Sequence, residues 1–541
     1  MQDAVAVEAP NSKLSSDAAA HSGTPALAEV SLVIASALLL ILSFPDFDLW
    51  PLAWIGMVPL LVVIGRPLKA PRAAVLGWLW GVVFFYGTCW WLTYPMIHYA
   101  HIPAWLAYPL LLLPIALVAL FPALFSLMLA RLVVRFGPAA IFVAPLVWVS
   151  CEWGRYAVTG QLWNALGYSQ AFHPMLIQPA RWGGVYLISF LVISVNVSLA
   201  LPLVQGPLFR MLPSLAILML SALVLAGALV QVVAEPLSSG VISPFVIAVQ
   251  PNVPMEGSDD PAAMEQLLNR HLELSLQGLR SAPANVSAAR LVIWPESPMN
   301  FSYSRDPHLR EVLTAFARTN RTSVLLNSLE PAADAGEHNS AVMINEEGRI
   351  VAQYDKIRLM PFGEYVPLPR WLPGASSVRG IVGDFTPGSS YTLMPLGAFR
   401  AGVFICIEAA HPAVTRGFAS EGARVLINIS NDGYLGPTPV MRQHLSNAIF
   451  RAVENDRDLV RVTNSGISAD IDSYGRIVDA TAELQPAVRV WSTGNWKERK
   501  TFYTRYGDLF AYACALITLG LMSSTFTTRR IRTQMSIRRR G

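Results

Sequence analysis

Seven long apolar stretches crowd the first half of this 541-residue chain, near 28–45, 50–65, 73–95, 104–134, 139–155, 185–205 and 212–234, and an eighth lies near 508–524. Crossing a hydrocarbon layer of about 30 Å takes about 20 helical residues, so the pattern predicts eight membrane-spanning helices. Charged residues make up only 14% of the chain against 53% hydrophobic, whereas an average soluble domain carries roughly 25% charged residues. An ordinary soluble enzyme is excluded. The low charge also argues against disorder, and the 39 prolines and 36 glycines follow no collagen-like period.

Orientation follows from the basic residues, because lysine and arginine in short loops are retained on the cytoplasmic side. The loop between spans two and three holds Arg66, Lys69 and Arg72; the loop between four and five holds Arg131 and Arg135; that between six and seven holds Arg210. Arg529, Arg530, Arg532 and Arg538 to Arg540 follow span eight. The loops after spans one and three hold neither lysine nor arginine and offer Asp46, Asp48, His98 and His101 instead. Both termini are therefore expected in the cytoplasm, and everything between spans seven and eight outside it. Residues 1–27 lack the basic start and small-residue cleavage pattern of a secretory signal and read as a flexible cytoplasmic tail. Residues 525–541 read as a basic cytoplasmic tail touching anionic lipid, so the net charge of +4 gives no argument for nucleic acid.

Residues 242–500 have a different texture. Apolar runs of five to seven residues alternate with amphipathic stretches and Gly/Pro/Asn turns, as in an α/β domain. VISPFVIAVQ, ARLVIWP, TSVLLN, AVMIN, IVAQYD, FRAGVFI, ARVLINIS, LVRVTN and GISADID read as strands, and NEEGRI and DSYGRI as hairpin turns. Helical periodicity marks AAMEQLLNRHLELSLQGLRS, PHLREVLTAFARTN, HPAVTRGFASEGA and VMRQHLSNAIFRAVENDR. His271, His308, His338, His411 and His444 show no metal spacing, no phosphate-binding glycine loop is present, and no metal or cofactor is expected.

Between residues 235 and 490 the chain holds one cysteine, Cys406, and one lysine, Lys356. Cys406 stands between the strand FRAGVFI and a helical stretch, as at a nucleophile elbow where helix amides favour a thiolate. A buried structural cysteine fits the local sequence equally well. Glu296 emerges after LVIWP, where Pro295 ends the ladder, and is either a general base or an ordinary solvated acid. Lys356 ends IVAQYDK and is either solvated or aimed at a developing oxyanion. All three fall at the carboxyl ends of predicted strands, the edge where open α/β sheets collect ligands.

WPES at 294–297, YDKIRLMPFGEYVP at 354–367 and GVFICIEAAHP at 402–412 resemble the Glu, Lys and Cys motifs of the nitrilase (carbon-nitrogen hydrolase) superfamily. INISNDGYLGPTP at 427–439 and RAVENDRDLVRVTNSGISADIDSYGRI at 451–477, with seven spans before and one after, are similar to the apolipoprotein N-acyltransferase family. The resemblance covers roughly residues 28–524. It implies a polytopic α-helical membrane domain of eight spans, residues 28–234 plus 508–524, and an extracytoplasmic αββα sandwich over 242–500. Cys406 would be nucleophile, Glu296 general base and Lys356 oxyanion stabiliser, with Glu364 and Glu408 in support and the amide of Ile407 a second oxyanion donor. Ile407 and Tyr434 stand where the family often has tyrosine and tryptophan, which puts in doubt a lipid-gripping role for those positions.

The resemblance further implies transfer of an acyl chain from a membrane phospholipid, phosphatidylethanolamine by analogy, through a Cys406 thioester to the α-amine of a diacylglyceryl-cysteine apolipoprotein. The setting would be a bacterial inner membrane with a periplasmic catalytic domain, and the chain a monomer. Within 360–385, Phe362, Tyr365, Trp371 and Phe385 are expected to form an apolar lid at the interface or simply to rest on the membrane. The rival readings are a membrane-tethered carbon-nitrogen hydrolase with the same triad, and a transporter or receptor with a ligand-binding outer domain. Transport would need charges along a path, and apart from Glu152 and Arg155 the spans are almost free of them.

Overall fold

The computed structural model describes residues 26–205, 211–234, 244–255, 260–283, 288–296, 298–333, 336–366, 385–492 and 499–538. Each of the eight apolar runs is helical. Among the described residues, five helical stretches are long and apolar enough to cross a membrane: Ala70–His98, Ala104–Phe136, Ala180–Gln205, Pro213–Val230 and Leu509–Phe526. Leu27–Leu42 and Trp50–Ile64 are shorter apolar helices. The fifth predicted run folds as a 3₁₀ turn, Pro138–Val143, followed by the 16-residue helix Ala144–Thr159.

These helices bury their polar groups and expose their greasy ones. Leu113, Leu117, Met219, Leu223 and Leu516 are all well exposed, while Ser36, Asn196, Glu152 and Arg155 lie inside. The buried polar atoms work as glue. Ser36 Oγ donates to the carbonyl of Gly56 at 2.6 Å and accepts from Trp80 Nε1 at 3.1 Å. Asn196 Nδ2 donates to the carbonyl of Ala53 at 2.9 Å, and its Oδ1 accepts from the amide of Met57 at 2.8 Å. Without water nearby, a polar group left unpaired costs several kcal/mol, which selects such pairings.

The remaining α/β unit holds twelve strands: β1 Phe245–Gln250, β2 Arg290–Ile293, β3 Ser323–Pro331, β4 Glu337–Ile344, β5 Ile350–Asp355, β6 Leu393–Leu396, β7 Phe399–Ile405, β8 Val425–Ser430, β9 Asp458–Thr463, β10 Ala469–Ile471, β11 Ile477–Ala480 and β12 Ala487–Ser492. They form two six-stranded sheets, ordered β12-β1-β2-β3-β4-β5 and β11-β10-β9-β8-β7-β6. The two predicted hairpin turns join β4 to β5 and β10 to β11, with Gly348 and Gly475 at positive φ. Strands β6, β11 and β12 are additions to the sequence reading. All three are edge strands, and β11 and β12 carry exposed residues that blur the apolar signal.

Alternation along the strands creates two faces per sheet. In β1, Val246 and Ala248 join the core shared with Val403, Ile405 and Leu426 of the other sheet. Ile247 and Val249 instead pack with Leu309, Leu313 and Phe316 of the outer helix Pro307–Asn320. Helices Pro261–Ser281 and Pro307–Asn320 cover one sheet, and Pro412–Ser420 and Val440–Asn455 the other. The layering is αββα, a nitrilase-like fold.

The helix Val440–Asn455 is buried on every side, because its far face meets the apolar helices. Gln443 is the main junction. Its Oε1 accepts from Trp91 Nε1 at 3.1 Å and Trp163 Nε1 at 2.9 Å, while Nε2 donates to the carbonyls of Thr88 at 3.0 Å and Pro45 at 3.3 Å. Arg442 pairs with Asp48, Arg181 with Asp456 at 2.9 Å, and Glu454 Oε1 accepts from the amide of Val185 at 3.0 Å.

Candidate active site

Four chain turns meet at one end of the sandwich. In the first sheet the ladder continues one residue past β2, with the Trp294 amide donating to the carbonyl of Leu325 at 2.8 Å. Pro295 has no N–H to carry it on, and Glu296 turns out of the sheet. Strand β5 runs parallel to β3, since two antiparallel pairings separate them, so Lys356 leaves the same edge as Glu296. In the second sheet the parallel strands β7 and β8 deliver Cys406 and Asn431.

The sequence-predicted Glu296, Lys356 and Glu364 are brought into direct contact. Lys356 Nζ lies 2.9 Å from Glu364 Oε1 and 3.6 Å from Glu296 Oε1, and its side chain is only 1% exposed. Burial opposes the ammonium, yet the carboxylates of Glu364 and then Glu296 outweigh it and hold Lys356 above the ordinary lysine range. A dry lysine that keeps its proton is a fixed positive charge. Asn339, near the start of β4, was not singled out from sequence, because a lone asparagine in a strand has no spacing signature. Its Nδ2 donates to Glu296 Oε1 at 2.9 Å and Glu364 Oε1 at 2.6 Å, and its Oδ1 accepts from Asn327 at 2.7 Å. Glu296 Oε2 accepts from the amide of Asn431 at 3.2 Å, which reaches it from the opposite sheet.

Cys406 has φ +50°, in the left-handed region that non-glycine residues rarely enter. Such a conformation costs of order 1–3 kcal/mol and clusters at functional turns. The residue is partly exposed. Burial and then the Glu296 carboxylate push its thiol well above the ordinary range, while Lys356 pulls the other way. The Glu296 carboxylate and the Lys356 ammonium thus act on the thiol in opposite directions.

Glu408 is a buried clamp. Its Oε1 accepts from Tyr354 Oη at 2.7 Å and from the amides of Ile357 at 2.8 Å and Arg358 at 3.0 Å, and its Oε2 accepts from the amide of Ile405 at 2.8 Å. One side chain thus ties the turn carrying Lys356 to the turn carrying Cys406. Ile407 is buried in the core, so its side chain packs inward.

The predicted lid residues diverge. Phe362 is 52% exposed at φ +60°, and its amide donates to the carbonyl of Tyr365 at 2.8 Å. The amide of Phe385 donates to the carbonyl of Glu364 at 3.1 Å, so Phe362, Tyr365 and Phe385 flank the Glu364 turn. Trp371 lies outside the described residues. Tyr434 belongs elsewhere: its ring stacks on Tyr99 with centroids 4.9 Å apart and planes 8° apart, joining the sandwich to the apolar helices. Beside it Gly436, at φ +70°, lets Tyr94 approach so closely that a Cβ would lie 2.3 Å from the ring.

Residues 36–198 match the family model described as the apolipoprotein N-acyltransferase N-terminal domain, and residues 248–505 match carbon-nitrogen hydrolase. The chain is 34% identical over 496 residues to apolipoprotein N-acyltransferase of Geobacter metallireducens, covering 89% of this chain and 92% of that protein. With the enzyme of the same name from Brucella melitensis it shares 32% identity over 469 residues, 82% of this chain and 85% of the other. A solved amidase from Nesterenkonia sp. is 16% identical, with TM-score 0.36 over 52% of this chain and 98% of its own.

Proposed function

The chain belongs to the apolipoprotein N-acyltransferase family and is a membrane acyltransferase of lipoprotein N-acylation, and from that premise we propose that the acyl chain travels on Cys406. The carrying observation is the contact of Lys356 with Glu296 and Glu364 at the end of the sandwich where the strained Cys406 also emerges and where their charges act on its thiol.

In the first half-reaction Glu296 takes the Cys406 proton and the thiolate attacks an ester carbonyl of a phospholipid. Lys356, with the amide of Ile407, stabilises the tetrahedral oxyanion. Glu296 returns its proton to the departing glyceryl oxygen, leaving a thioester and a lysophospholipid. In the second half the α-amine of a diacylglyceryl-cysteine attacks the thioester carbonyl and Glu296 accepts its proton; the carbon–sulfur bond breaks to leave an amide, and Glu296 returns the proton to the departing Cys406 thiolate. Phosphatidylethanolamine is the proposed donor. Glu364 and Asn339 hold Lys356 and Glu296 in register, and Phe362, Tyr365 and Phe385 form the lipid-facing lid.

Eight spans, cytoplasmic termini, a periplasmic sandwich over 242–500 and a monomeric enzyme in a bacterial inner membrane complete the reading. Its support is the arginine bias of the loops and the exposed leucines of the helices. Both substrates are then anchored where the site rests, which raises their effective concentration over water. Purified protein given a phospholipid with a labelled acyl chain should acquire label on Cys406 and release it on addition of a diacylglyceryl peptide. Release of free fatty acid without need of the amine would instead identify a tethered hydrolase, a reading the family membership does not favour.

A further inference from the structure

His444 and its partners lie outside the catalytic roles assigned above, yet they reach the nucleophile. His444 Nε2 stands 2.9 Å from the carbonyl oxygen of Cys406. A carbonyl only accepts, so Nε2 carries a proton and donates. On the other side of the ring, Nδ1 lies 2.8 Å from Asp432 Oδ1 and 3.1 Å from Arg461 Nη2. The neutral ring accepts there from Arg461 and the imidazolium donates to Asp432; both states keep the proton on Nε2. Asp432 Oδ2 accepts from Arg461 Nη2 at 2.6 Å, and its Oδ1 accepts from Ser430 Oγ at 3.0 Å. Arg461 is anchored in turn by Asn428. The indole of Trp163, from the apolar helices, lies 5.5 Å from the imidazole centroid.

The whole network is buried. Its hydrogen bond to Cys406 falls on the carbonyl of a residue in the left-handed region, where φ +50° must be maintained against its own strain. The peptide carbonyl of Cys406 also belongs to the peptide unit that bears the Ile407 amide, the proposed oxyanion donor. Fixing that carbonyl fixes the direction of the amide as well as the elbow.

We infer that His444 is a positioning residue for acyl transfer: through Nε2 it holds the Cys406–Ile407 peptide in the orientation that presents the thiol and aims the Ile407 amide, and Asp432 and Arg461 orient its ring. This rests on Cys406 being the acyl carrier.

Two substitutions separate the halves of the ring. In His444→Gln the side-chain amide reaches the position of Nε2 and keeps a donor for the Cys406 carbonyl. In His444→Asn it reaches only the position of Nδ1, keeping the Asp432 side and losing the carbonyl. Both full-length variants are purified in detergent and given a phospholipid with a labelled acyl chain, and the rate of Cys406 labelling is followed beside the wild type. The expected result is labelling within about 5-fold of wild type for Gln and a loss of about 30-fold or more for Asn, with KM for the phospholipid unchanged in both. Equal rates for the two, a faster Asn variant, or losses that merely track lowered thermal stability would assign His444 to folding and overturn the inference. A wild type that never carries label on Cys406 would instead sink the acyl-carrier reading itself.

Discussion

The apolar helices and the sandwich solve the same burial problem in opposite directions. The helices turn leucines outward and keep Ser36, Asn196, Glu152 and Arg155 inside, whereas the sandwich fills its interior with residues such as Val246, Ile293, Val403 and Leu426. A surface of exposed leucines suits a solvent of lipid tails, and an interior of them suits water. The comparison also sets the scale of polar energetics. At the site, buried charges are compensated: Lys356 by Glu364 and Glu296, Asp432 by Arg461 and His444, which together hold that carboxyl well below its ordinary range despite burial. The helix Val440–Asn455 joins the two regimes, with Gln443 facing the apolar helices and His444 bonded to the Cys406 carbonyl.

The sharpest division between scaffold and chemistry is at the sulfur. Cys406→Ala should abolish both the covalent acyl adduct and the product, a loss of about 10³-fold or more, read by mass spectrometry and by product formation. Persistent product would move the chemistry to another residue. Lys356→Arg keeps the charge but cannot fit the pocket shared with Glu296, Glu364 and Asn339, and is expected to slow labelling by about 10²-fold. Near-normal rates would make the lysine structural.

The coupling between the two regions is tested at Gln443. Gln443→Leu leaves the Trp163 indole N–H and the Pro45 carbonyl without their Gln443 partner, while Trp91 Nε1 and the Thr88 carbonyl keep each other at 3.0 Å, with an expected loss of about 2–3 kcal/mol measured by unfolding in detergent. A melting temperature unchanged by this substitution would mean that the sandwich folds independently of its junction. A gentler probe is Tyr99→Ala, which removes the stack on Tyr434. Such pairs contribute about 0.5–1.5 kcal/mol, so a loss of stability of about that size, measured by unfolding in detergent, is expected with kcat and KM retained. An unchanged melting temperature would show that the stack does not hold the two regions together.

Away from the site the sandwich leaves one acid uncompensated. Burial, and then Asp458, Asp472 and Asp479, raise Asp470 to about 7. An unfolded aspartic acid titrates near 4, so between about pH 4 and 7 the native state binds the extra proton, and stability falls as pH rises through that window. Asp470→Asn should therefore raise the melting temperature by a few degrees at pH 8 and hardly at all at pH 4. Equal gains at both values would show that the carboxyl titrates normally.

The chain's order of apolar runs and its switch to alternating short strands were legible because solvent class and strand period are written in local composition. Runs such as 104–134 and FRAGVFI need no partner to be recognised. Glu296, Lys356 and Cys406 were legible for the same reason: each directly follows a strand, and strand ends converge in a parallel arrangement. What the sequence left open was which polar residues would meet them. Asn339 reaches Glu296 only because β4 runs antiparallel between β3 and β5. Glu408 ties the Lys356 turn to the Cys406 turn only because two sheets face each other, and His444 finds the Cys406 carbonyl across 38 positions of chain. Hydrogen bonds act over about 3 Å and carry no periodic trace along a sequence, so tertiary packing alone decided them.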